Sequence, residues 1–250
     1  MTEHSIALIN PPAVMHYDAI RHSSVPSRNW DKHHSYKQFR HLFRTLVGCL
    51  LLVLSSRQVY ATPFLFGYQE TQQADITPFK QWLDVLERHI HLDVPEGADC
   101  TETRFNSCHL RAWQAFLASI RNLPFATQLT RINDYANNKK YILDIDNYGM
   151  TDYWAVAREF LYNGGDCEDY AITKLLSLRW LGVDMDRLRI VVLQDTNLRI
   201  PHAVLAVYNN NDVLILDNQT QQVVSHRDIV HYVPVYSINE AHWWIYTPVL

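Results

Sequence analysis

The stretch from Cys167 to Leu181 limits the possible folds more than any other. Read as a helix closed by Gly182, it carries Tyr170, Ala171, Leu175 and Leu178 on one face, with Ile172, Leu176 and Trp180 elsewhere. A helix that is apolar all round has to be buried. Upstream of it the apolar spacing is helical. Phe79, Trp82, Leu83, Leu86 and Ile90 follow Thr77-Pro78, a capping hydroxyl and a proline suited to a helix start. A second helix is expected from about Cys108 to Leu123, stopped by Pro124, and a third over about 126–136. Tyr141-Ile142-Leu143-Asp144 reads as a short strand, and Asp152 as the cap of a short helix through Tyr162. After Gly182 the period changes to strands, expected at 188–194, 202–208, 213–217, 222–225, 233–237 and 242–246. Helices first and strands last predict an α+β fold, with N-terminal helices and the buried helix packed on an antiparallel sheet.

The chain has 250 residues, 48% of them hydrophobic, enough for one sizeable core. A formal net charge of −4 gives no basic balance that would point to nucleic acid. Residues 1–61 read as a separate N-terminal extension and signal sequence, ahead of a domain over 62–250. Arg40, His41 and Arg44 precede the apolar run Leu46–Leu54, and small residues near Val59-Tyr60-Ala61 suit cleavage after Ala61. About forty residues precede that run, which fits either a misplaced start codon or a long basic region. An N-terminal membrane anchor is the third reading. Such a signal implies that the mature chain is exported. With Cys49 removed alongside the signal, three of the four cysteines remain; an oxidising compartment favours pairing Cys100 with Cys108, which leaves Cys167 as the odd thiol, and the alternative is that all three are reduced.

Asn163-Gly164-Gly165-Asp166-Cys167-Glu168-Asp169-Tyr170 concentrates the chemistry. The glycines allow a tight turn, and Cys167 then sits on the first turn of the helix, where the dipole favours a thiolate. A thiol nucleophile needs a base, and His202 opens an apolar stretch that ends in Asn209-Asn210-Asn211-Asp212, a hairpin turn. A turn centred between Asn210 and Asn211 places His202 opposite Gln219 and Asp217 opposite Val204. His202 and Asp217 are then diagonal neighbours on one face, so Asp217 can orient the imidazole. Asp166, Glu168 and Asp169 crowd Cys167 with negative charge, which works against a thiolate. Two readings account for them. Asp166 and Asp169 resemble a capping box, and acids are common at helix starts. Alternatively, the three hold a hard cation such as calcium.

Several runs resemble the bacterial transglutaminase-like cysteine proteinases of the LapG type. They are Tyr153-Trp154-Ala155-Val156-Ala157-Arg158-Glu159-Phe160, Gly165-Asp166-Cys167-Glu168-Asp169-Tyr170-Ala171-Ile172, His202-Ala203-Val204-Leu205 and Leu216-Asp217-Asn218. The resemblance spans about residues 75–247. It implies a papain-like, transglutaminase-type fold, with Cys167 as nucleophile, His202 as general base and acid, and Asp217 as the orienting carboxylate. It also implies that Asp166, Glu168 and Asp169 bind calcium needed for activity. The substrate it implies is a large surface adhesin, cut near its N-terminus at a di-alanine site to release biofilm cells. The implied regulator is an inner-membrane receptor for cyclic di-GMP. Two other functions use the same residues: a transglutaminase-type acyl transferase, or a non-catalytic calcium-binding module.

Overall fold

A computed structural model of the chain describes residues 64–91 and 107–249. The expected extension and signal sequence over 1–61, the boundary at residue 62, and Cys100 lie outside the described residues. Among the described residues, no helix is long and apolar enough to cross a membrane.

The helices are α1 (Lys80–His91), α2 (Ser107–Ile120), α3 (Phe125–Asn137), α4 (Asp144–Asn147), α5 (Ala157–Asn163) and α6 (Cys167–Trp180). The first three stand near their expected places. Before α1, Asp75 rather than Thr77 is the local acceptor, taking hydrogen bonds from the Thr77 N–H at 3.0 Å and hydroxyl at 2.6 Å. The helix expected to start at Asp152 starts at Ala157 instead. Glu159 sets that boundary: its carboxylate accepts the Val156 N–H at 3.2 Å and is held by Arg88. Arg88 also donates to the Trp154 carbonyl at 2.6 Å, so residues 152–156 are tied to α1.

Seven strands among the described residues are β1 (Tyr68–Gln73), β2 (Leu188–Asp195), β3 (Ile200–Asn209), β4 (Asp212–Leu216), β5 (Val224–Ser225), β6 (Tyr232–Ile238) and β7 (Trp243–Pro248). They form one antiparallel sheet in the order β1-β7-β6-β2-β3-β4-β5. β1 is absent from the sequence expectations. Its Tyr-Gln-Glu-Thr-Gln-Gln has no apolar alternation, because it is a mostly exposed edge strand.

α6 is the centre of the core. Ile172, Leu175, Leu176 and Leu178 are buried against Leu188, Ile190, Leu205, Val207 and Ile238 of the sheet and against Trp113 and Leu129 of the preceding helices. Burial of such side chains contributes about 1.5–3 kcal/mol each. A second apolar layer, including Val191, Val204, Ala206, Ile215 and Trp244, uses the alternate residues of the same strands. The mixed helices and antiparallel sheet are the α+β, papain-like architecture expected.

Candidate active site

Gly164 and Gly165 set up the entry into α6. Gly164 has φ of +80°, and a Cβ there would run into the Lys140 carbonyl. A Cβ on Gly165 would overlap the Asp169 carboxylate, lying 2.8 Å from its Cγ. Only glycine lets the chain pass so close to both neighbours. The turn delivers Cys167 to the first residue of α6, a free thiol with a partly exposed side chain. Its Sγ donates to Glu168 Oε2 at 3.3 Å, and the Ala203 N–H points at the sulfur. Cys167 therefore abuts the residue that follows His202.

The β3–β4 hairpin has the register that its Asn-rich turn sets: Asn209 pairs with Asp212 and Leu205 with Leu216. This brings His202 Nε2 to 2.9 Å from Asp217 Oδ1, with both side chains buried. Asp217 also accepts the Gln219 N–H at 2.9 Å and the Tyr232 hydroxyl at 2.6 Å. Burial pushes the Asp217 carboxyl up, but the His202, Gln219 and Tyr232 hydrogen bonds outweigh it and hold the group below the usual carboxylate range. Asp217 is thus an ionised carboxylate aimed at an imidazole. Tyr232 comes from β6, too far along the chain for a sequence reading to couple it to the site.

The surroundings of Cys167 are more acidic than the sequence suggested. Asp166, Glu168 and Asp169 are joined by Asp144 from α4 and by Asp152 from the loop ahead of α5. Oxygens of Asp144, Asp152 and Glu168 lie within 4.8 Å of one another, as do those of Asp144, Asp166 and Asp169. The Asp144 carboxylate accepts the Tyr153 N–H, and Asp169 accepts the N–H groups of Ala155 at 2.7 Å and Asp166 at 3.2 Å. Asp169 therefore performs the capping role. Capping does not account for the rest: Asp144 Oδ1 and Asp166 Oδ1 are buried with no hydrogen-bond partner among the described residues. Neither Asp144 nor Asp152 stands near Cys167 in sequence, and Asp152 looked like a helix cap, so only the fold reveals them.

Burying these acids together raises their proton affinity. Burial, then the neighbouring Asp166, pushes the Glu168 carboxyl up to about 10. Burial pushes Asp144 up to about 6 and Asp169 well above its usual range. Burial first, and the Glu168 charge next, push the Cys167 thiol up as well. Burial and the acidic neighbours both disfavour the thiolate, and a cation held among the carboxylates would remove the second of these. An oxygen-rich set with buried, unpartnered lone pairs fits a hard divalent cation of calcium type.

Residues 98–247 match the model of a family described as bacterial transglutaminase-like cysteine proteinase. Among solved structures, the chain is similar to LapG of Legionella pneumophila, at 33% identity and a TM-score of 0.50, over 55% of this chain and 77% of that one. The calcium-bound form of that protein has a TM-score of 0.51 over the same shares. Its EGTA-treated form has 0.50, over 55% and 75%. No curated protein matches the chain significantly.

Proposed function

The chain belongs to the bacterial transglutaminase-like cysteine proteinases, and from that premise we propose that it is a calcium-dependent periplasmic endopeptidase acting through Cys167, His202 and Asp217. The observation that carries the reading is the buried His202–Asp217 hydrogen bond beside the Ala203 N–H that meets the Cys167 sulfur. With Nε2–H donated to Asp217, Nδ1 is the basic nitrogen left to take the thiol proton.

In the proposed cycle, His202 removes the proton as Sγ attacks the scissile carbonyl carbon. The carbon–nitrogen bond breaks, His202 returns the proton to the leaving amine, and a thioester remains on Cys167. Water, deprotonated by His202, then attacks the thioester and releases the new carboxyl terminus and the thiol. The Cys167 N–H, at the first turn of α6, is a donor for the oxyanion of each tetrahedral intermediate. Asp166, Glu168 and Asp169, with Asp144 and Asp152, are the residues that would hold calcium. The bound ion would offset the carboxylate charge, which together with burial disfavours the thiolate.

The substrate we propose is a large cell-surface adhesin, cut near its N-terminus at a di-alanine site so that biofilm cells are released. Control falls to an inner-membrane receptor that senses cyclic di-GMP and sequesters the protease. The support for this substrate and partner is the family resemblance of the motifs around Cys167, His202 and Asp217. Residues 1–61 would serve as extension and export signal for the domain over 62–250.

The test is cleavage of a di-alanine-containing adhesin N-terminal fragment with calcium or with a chelator. Wild type should cut it only with calcium, and Cys167→Ala should not cut it at all. Incorporation of an amine into a glutamine substrate without peptide cleavage would replace this reading with the acyl transferase. An intact fragment under every condition would favour the binding module.

A further inference from the structure

Tyr141-Ile142-Leu143-Asp144, expected as a short strand, makes one isolated β-bridge ahead of the catalytic turn, and Asp144 already begins α4. Tyr141 forms a parallel bridge to Gly165, with Ile142 N–H donating to the Gly165 carbonyl at 2.9 Å and Gly165 N–H donating to the Lys140 carbonyl at 3.3 Å. In such a bridge Gly165 uses both of its backbone groups, while the N–H and C=O of Tyr141 point to the opposite side. Among the described residues, neither of those two groups has a hydrogen-bond partner. The segment is also firmly placed. The Tyr170 hydroxyl donates to the Lys139 carbonyl at 2.7 Å, and the Tyr141 ring stacks on that of Tyr170 at 6.3 Å. Gly164 is what lets Lys140 come so close.

This unpaired edge lies beside the nucleophile. Tyr141 is bridged to Gly165, two residues before Cys167 in the turn that delivers the thiol. The side chains of Tyr141 and Leu143 are half exposed. An apolar, solvent-facing pair at alternate positions of an extended segment offers side-chain contacts as well as backbone bonds.

We propose that the outer edge of Tyr141 binds the peptide substrate as an added β-strand, its N–H and C=O pairing with one substrate residue next to the scissile bond. This inference rests on the endopeptidase reading. It gives that reading a substrate conformation, an extended chain held by main-chain bonds. An exposed backbone pair recognises any extended peptide, so sequence preference has to come from the side-chain contacts.

Two measurements on a short di-alanine peptide test it. In the first, backbone esters replace the peptide's amides one at a time on either side of the scissile bond, and wild type is assayed with calcium. One ester should lower kcat/KM about tenfold, the effect of a single lost hydrogen bond, while its neighbours have little effect. In the second, exchange of the Tyr141 amide hydrogen is followed in Cys167→Ala with and without the peptide. It should slow at least tenfold when the peptide binds. Cleavage by wild type with no ester-sensitive position and an unprotected Tyr141 amide overturns the edge and leaves the protease intact. Failure of wild type to cleave any of the peptides overturns both, because the edge then has no substrate to hold.

Discussion

Replacing Gly165 with alanine adds one methyl group where the structure has no room for it. The new Cβ would stand 2.8 Å from Cγ and 2.9 Å from Cβ of Asp169, closer than such carbons approach, and would overlap Oδ2. Asp169 cannot swing aside cheaply. Its side chain is fully buried, and its oxygens accept the N–H groups of Ala155 and Asp166. Moving it forfeits two hydrogen bonds to a carboxyl group and strands buried donors, at about 1–3 kcal/mol each. The expected loss is about 3 kcal/mol, or roughly 6–12 °C in Tm for a domain of this size. Gly149→Ala is the control. With φ of +69° and, among the described residues, nothing within 4 Å of its Cβ, it should cost only the left-handed conformation, about 1–2 kcal/mol. Urea unfolding of both variants with a chelator present separates the two costs. A Gly165→Ala variant no less stable than Gly149→Ala would refute the claim that the catalytic turn is packed against Asp169.

Two further substitutions probe the site's electrostatics. Lys174 is fully buried on α6, its Nζ has no hydrogen-bond partner among the described residues, and burial pulls its pKa down to about 7 despite the Asp217 charge. The unfolded chain holds that proton up to about 10.5, so it binds more protons than the folded chain between the two values. Stability therefore rises with pH across that window. Lys174→Met should be more stable than wild type by about 2–4 kcal/mol at pH 7, with the gap narrowing as pH is raised. A pH-independent gap in denaturant titrations would contradict this. Tyr232→Phe removes a 2.6 Å hydrogen bond to Asp217, and on the proposed mechanism it should lower kcat about tenfold with KM unchanged, because only the orientation of His202 is loosened. A change in KM alone would place Tyr232 in substrate binding instead.

The parts of this molecule that are legible in its sequence are those with short-range causes. α6 shows itself because its apolar residues leave no polar face, and the Asn-rich turn sets the β3–β4 register that puts His202 beside Asp217. β1 is hidden because an exposed edge strand needs no apolar alternation. Asp152 misleads: an acid ahead of a helix looks like a cap until Glu159, held by Arg88 from α1, is seen to fix the boundary at Ala157. Asp144, Asp152 and Tyr232 join the site only through chain folding. Cys108 is disulfide-bonded, and the expected pairing with Cys100 falls on a residue outside the described ones.

The central claim is that Cys167 is the nucleophile of a peptidase and that His202 activates it. Its most direct test is to treat the protein, with calcium present, with a chloromethyl ketone built on a di-alanine peptide and to locate the adduct by mass spectrometry. The account predicts one adduct, on Cys167, forming about 100-fold or more slowly in His202→Ala and slowed likewise on chelation. Labelling of another residue, or of Cys167 at the same rate with or without His202, would contradict it.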